Sequence, residues 1–70
     1  MKTIKSTMAG TVWKITKAVG DAVDYGDTVV ILESMKMEIP VEADSAGTIV
    51  KILVAEGDVV DDGLALMELK

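Results

Sequence analysis

Sliding the chain by 37 positions lays Ala9-Gly10-Thr11-Val12 on Ala46-Gly47-Thr48-Ile49, Lys14-Ile15 on Lys51-Ile52, and Gly20-Asp21 on Gly57-Asp58. It also lays Val23-Asp24 with Gly26 on Val60-Asp61 with Gly63. Both halves therefore follow one strand-and-turn plan, and a half of about four short strands cannot bury an apolar face alone. The two copies must pack against each other in a single domain spanning residues 1–70, related by an internal pseudo-two-fold. A chain of 70 residues is near the size at which one core barely suffices, and it has no cysteine to staple it. Aliphatic strand packing has to hold it together, since half the residues are hydrophobic and only one Trp and one Tyr are present.

Runs of Val, Ile and Thr bounded by Gly and Asp place strands near residues 2–6, 11–16, 22–23, 28–34, 37–43, 47–54, 59–60 and 64–69. That leaves no room for a helix. Around Ile49, Val50, Ile52, Leu53 and Val54 the apolar–polar alternation is imperfect, which predicts strands buried on both faces. The six glycines punctuate the runs where tight turns call for positive φ. Pro40 cannot donate a ladder hydrogen bond and belongs at an outward-facing or interrupted position. The expected fold is all-β, a flattened barrel-sandwich of two four-stranded antiparallel sheets.

At the junction of the halves stands Glu33-Ser34-Met35-Lys36-Met37-Glu38, between the apolar runs Thr28-Val29-Val30-Ile31-Leu32 and Ile39-Pro40-Val41. Two strands meet there, so Lys36 is expected at the tip of a hairpin, its flexible stem carrying an amine into solvent. Alternation predicts Met35 and Met37 on one side of the ladder and Lys36 on the other. The plainer reading makes the two methionines core filler and Lys36 a solvated charge. The repeat makes the gap between Lys70 and Met1 equivalent to this junction, which predicts the lysine and the chain ends at opposite poles.

Twelve carboxylates face seven lysines and no arginine, for a net charge of −5. A nucleic-acid binder shows the opposite balance. Without His, Cys or Arg there is no common nucleophile–base pair and no guanidinium clamp, so no catalytic residue and no enzyme is expected. A Schiff-base lysine needs a desolvated pocket, which a turn tip does not offer. Asp24-Tyr25-Gly26-Asp27 and Asp61-Asp62-Gly63 lack the spaced ligand series of a calcium loop and read as turn chemistry, so no metal site is expected. No apolar run is long enough to span a membrane or to serve as a signal core. Absent cysteine agrees with a cytoplasmic setting.

The segment from Glu33 to Glu38 closely resembles the Glu-Ala-Met-Lys-Met segment of biotinyl domains, the biotin carboxyl carriers, with Ser34 in place of the usual alanine. The resemblance covers nearly all of the chain and is closest to the small, free-standing biotin/lipoyl attachment proteins. It implies that a biotin protein ligase joins biotin to Lys36 through an amide, with Glu33, Met35 and Met37 shaping recognition. It further implies that the arm carries a carboxyl group from a biotin carboxylase to a carboxyltransferase, on a carrier that is a monomer when isolated. Related lipoyl domains usually read Asp-Lys-Ala or Asp-Lys-Val around the lysine, so Met35 and Met37 argue against lipoate. Two alternatives stay open: a lipoyl carrier for a 2-oxo acid dehydrogenase, and an unmodified β interaction module. Thr7 stands where many family members have a proline, and the connection between Ile15 and Ala22 has no room for the insertion seen in carriers of the bacterial acetyl-CoA carboxylase type. The acyl acceptor is accordingly left open.

Overall fold

Strands form where the β-branched runs lie between Gly- and Asp-bearing turns. The computed structural model, which describes residues 2–70, has β1 (Lys2–Lys5), β2 (Gly10–Ile15), β3 (Ala22–Val23), β4 (Thr28–Ser34), β5 (Met37–Glu42), β6 (Gly47–Ile52), β7 (Val59–Val60) and β8 (Ala65–Leu69). Each lies within two residues of its expected bounds. They build two four-stranded sheets, ordered β1-β8-β6-β3 and β5-β4-β2-β7, with every pairing antiparallel. Among the described residues there is no helix.

The repeat governs pairing as well as element order. Lys2 faces Leu69 in one sheet, and 37 positions along, Ile39 faces Leu32 in the other. Val12 with Leu32 and Ile49 with Leu69 form a second such pair of pairs, and Ala22 with Thr48 and Val59 with Thr11 a third. Turn hydrogen bonds repeat too: Gly20 N donates to the Ile49 carbonyl and Gly57 N to that of Val12, at 2.8 and 2.7 Å. The pseudo-two-fold therefore exchanges the two sheets, and it exchanges the β4–β5 hairpin tip with the open end of the β1–β8 pair.

Bulges explain the broken alternation. Register slips between Val12 and Lys14 and, equivalently, between Ile49 and Lys51, leaving Trp13 and Val50 unpaired. An extra residue resets which side chain faces inward, so Val50 and Lys51, following buried Ile49, are both exposed. The expectation that such strands are buried on both faces is thus corrected: the cause is a phase change within one-sided strands. Bulges at Val29 and Leu66 do the reverse and turn two neighbours inward, giving the buried doublets Val29-Val30 and Leu66-Met67. With Ile4, Val12, Leu32, Val41, Ile49, Val60 and Leu69 these doublets fill the space between the sheets. Each fully buried aliphatic side chain contributes about 1.5–3 kcal/mol of transfer free energy.

The glycines divide into two kinds. Gly20, Gly26, Gly57 and Gly63 have φ between 86 and 96°, as turns require. Gly10 and Gly47 do not; a Cβ on them would lie 3.0 Å from the Glu33 carbonyl oxygen and 2.9 Å from that of Lys70. These two symmetry-related positions need glycine for close backbone approach and not for positive φ. The Asp turns behave as expected, with Asp21 and Asp58 accepting from Ala18 N and Ala55 N at 2.8 and 2.9 Å, and Asp27 accepting from Asp24 N at 2.9 Å. Before Gly10, buried Ser6 donates its hydroxyl to the Met8 carbonyl at 2.6 Å, which ties down the Thr7–Ala9 turn without a proline.

Candidate functional site

β4 and β5 are the longest paired strands, with six register pairs from Thr28–Glu42 to Ser34–Met37. Only Met35 and Lys36 remain to reverse the chain. A two-residue hairpin loop follows the right-handed twist of its strands when both central residues have positive φ, the type I′ turn. Met35 and Lys36 have φ of 52° and 63°, and they are the only non-glycine residues with positive φ among those described. Alternation therefore does not extend through the tip: Met35 and Lys36 are both turn residues, and Met37 opens β5. The sequence-based placement of Met35 and Met37 on one face of a ladder is corrected on that point.

Left-handed backbone costs an L-residue about 1–2 kcal/mol, and the residues that tolerate it are Gly, Asn and Asp. Met-Lys at this turn is a local conflict, held by the paired strands below. Strain of this kind concentrates at functional positions. Met35→Asn is expected to stabilise the fold by about 0.5–1 kcal/mol, raising the Tm by roughly 2–8 °C. A thermal melt that shows no gain would mean that the turn carries no such strain.

Exposure decides the role of the methionines. Met35 is 91% and Met37 63% exposed, so neither packs the core. Lys36 is exposed between them. Below the tip, Glu33 and Glu38 face each other across β4 and β5, both exposed. Like charges directly opposite are destabilising, so this pair too favours something other than stability. Gly10 lets β2 run directly against the Glu33 carbonyl, and thereby supports the hairpin neck. All four residues singled out from the sequence, Glu33, Met35, Lys36 and Met37, thus gather in one solvent-facing hairpin end. Trp13 is also on the surface, 45% exposed, with Lys14 Nζ 5.7 Å from its ring centroid. The site offers an accessible primary amine within a framed loop and no enclosed chamber for chemistry. No group of acidic or other ligand residues among those described could hold a metal ion.

Residues 2–69 match the biotin/lipoyl family, described as biotin-requiring enzyme. Over 67 residues the chain is 46% identical to the biotin/lipoyl attachment protein of Bacillus subtilis, covering 96% of this chain and 92% of that protein. It is 48% identical over 40 residues to the biotinylated protein TB7.3 of Mycobacterium tuberculosis, covering 57% of this chain and 56% of that protein. Among solved structures it superposes on the urea carboxylase of Kluyveromyces lactis with a TM-score of 0.91 at 39% identity, covering 99% of this chain and 6% of that one.

Proposed function

We infer the function from a fixed premise: this chain belongs to the biotin/lipoyl family. It is a biotin carrier domain, a part of biotin-dependent systems that is not itself catalytic, and its cofactor is covalently attached biotin. Our proposal is that Lys36 is the attachment point, that a biotin protein ligase loads it, and that the loaded arm serves a biotin carboxylase and a carboxyltransferase. The observation that supports this most directly is the placement of Lys36 as a turn residue at an exposed hairpin tip.

The residues fit the group. Amide formation requires the Lys36 ε-nitrogen to lose a proton and attack the acyl carbon of a biotinyl adenylate; the new C–N bond forms as the acyl–phosphate C–O bond breaks and AMP leaves. The ligase must accept the proton, because the tip supplies no base within an enclosed site. Met35 and Met37 give the ligase two flexible apolar contacts on either side of the amine, and Glu33 gives it a charge. Once attached, biotin supplies a ureido nitrogen able to take up and release a carboxyl group. The domain itself contributes effective concentration, holding that arm within reach of both partner sites.

Intact mass after co-expression with a biotin protein ligase tests the reading. One added biotinyl group is expected, whereas an unmodified chain would refute it and a lipoyl adduct would select the 2-oxo acid dehydrogenase alternative. Replacing Met35 by Asp and Met37 by Ala should slow biotinylation and move the site toward a lipoyl ligase. Both side chains are exposed, so denaturant melts should change by no more than about 0.5 kcal/mol apart from relief at the turn. Equal initial biotinylation rates for this variant and the parent would place specificity elsewhere.

A further inference from the structure

The pseudo-two-fold provides an internal control. Where both halves need a residue for the fold they share it, as at Gly10 and Gly47, Gly20 and Gly57, and Asp21 and Asp58. An open groove of about 420 Å³ on the β5-β4-β2-β7 sheet breaks this rule. It is lined by Thr16, Lys17, Thr28, Ile31, Glu38 and Pro40. The residues 37 positions from Thr16, Lys17, Thr28 and Ile31 are Leu53, Val54, Ala65 and Glu68, and the residue that precedes Pro40 by 37 is Thr3. At all five positions the chemistry is reversed, polar for apolar or apolar for polar. The strand pairing beneath them is nevertheless the same, since Ile31 faces Pro40 and Glu68 faces Thr3. Folding therefore does not require the groove's lining.

On the presumption that Lys36 carries biotin, we propose that this groove is a resting site for the biotin ring system at the end of its own arm. The reach is right. Glu38 and Pro40 lie two and four residues along β5 from Lys36, which places Pro40 about 13 Å away at roughly 3.3 Å per residue. An extended arm from the lysine Cα to the ring has about eleven bonds, each advancing roughly 1.25 Å given bond lengths near 1.5 Å, so it spans about 14 Å. The chemistry also matches. Ile31 and Pro40 offer an apolar wall to the thioether ring and its aliphatic chain. Thr16 Oγ1 donates to the Thr28 carbonyl at 2.7 Å, so its remaining capacity is to accept a hydrogen bond, as a ureido N–H needs. Half-buried Lys17 supplies a donor for the ureido carbonyl. The volume lies within the range of about 300–1,000 Å³ usual for small-ligand sites, and the openness of the groove suits an occupant that must leave to reach its partners.

The test compares amide spectra of the isotopically labelled chain before and after biotinylation, with intact mass confirming one group per chain. Docking predicts shift changes at Thr16, Lys17, Thr28 and Ile31 in addition to residues 33–38, and nuclear Overhauser contacts from biotin ring protons to the Ile31 and Pro40 side chains. The double variant Ile31→Glu and Pro40→Thr, which installs the residues of the symmetry-related surface, should lose the distant changes and keep those of the hairpin. A fully biotinylated parent whose changes stop at residue 38, with no contact to Ile31 or Pro40, overturns the docking site and leaves the carrier reading standing. A chain that the ligase leaves unmodified overturns the carrier reading and this inference with it.

Discussion

Lys36→Arg is expected to abolish biotin incorporation: intact mass should show no adduct and a streptavidin blot should be blank, against full labelling of the parent. Arginine keeps the charge, the long stem and a comparable backbone preference, so the hairpin should form as before and the melt should shift by less than about 0.5 kcal/mol. What changes is the nucleophile, because a guanidinium cannot be deprotonated in a protein and cannot form the amide. The other six lysines should not compensate. Lys14 and Lys51, related by the repeat, lie within paired strands beside bulges and have no two-residue tip to present them. Peptide mapping that finds biotin on either of them would refute the positional account of recognition.

Leu32→Ala and Leu69→Ala should each remove about 2–5 kcal/mol of folding stability. Both leucines are fully buried, and they occupy equivalent places, one in each sheet. A domain of this length has a total of roughly 3.5–10 kcal/mol at 0.05–0.15 kcal/mol per residue, so either truncation consumes about a fifth of the stability or more. The Tm should fall by at least about 8 °C, at 4–8 °C per kcal/mol. Symmetry adds a sharper expectation, that the two losses agree to within about 1 kcal/mol because the surrounding doublets Val29-Val30 and Leu66-Met67 are alike. Urea titrations of the pair measure this. A large loss for one leucine and a negligible loss for the other would show that the two halves do not share the core equally.

The strands and their number were legible because the repeat reports each twice, and because Gly20, Gly26, Gly57 and Gly63 do what turn glycines ordinarily do. The position of Lys36 was legible from the apolar runs on either side. The conformation of the tip was not: nothing in Met-Lys suggests left-handed backbone, and only the length and pairing of β4 and β5 impose it. The sequence does not mark Trp13 and Val50 as bulges because a bulge is a relation between two strands, whereas alternation is read within one. Gly10 and Gly47 look like turn residues in the sequence for the same reason, since the atoms that exclude their Cβ belong to Glu33 and Lys70. The groove of Thr16, Lys17, Ile31 and Pro40 draws on three distant stretches that no local pattern unites.

Lys2 faces Leu69 just as Ile39 faces Leu32, and the six residues 33–38 bridge the second pair. A copy of that six-residue segment, joining Leu69 back to Lys2, would therefore close the backbone into a ring with two equivalent tips. Such a ring could be opened anywhere that a turn is exposed, giving circular permutants with the same core. Its second tip would carry a second Met-Lys-Met, which would make one small domain a divalent platform, with two arms anchored at places that the molecule's own symmetry makes interchangeable.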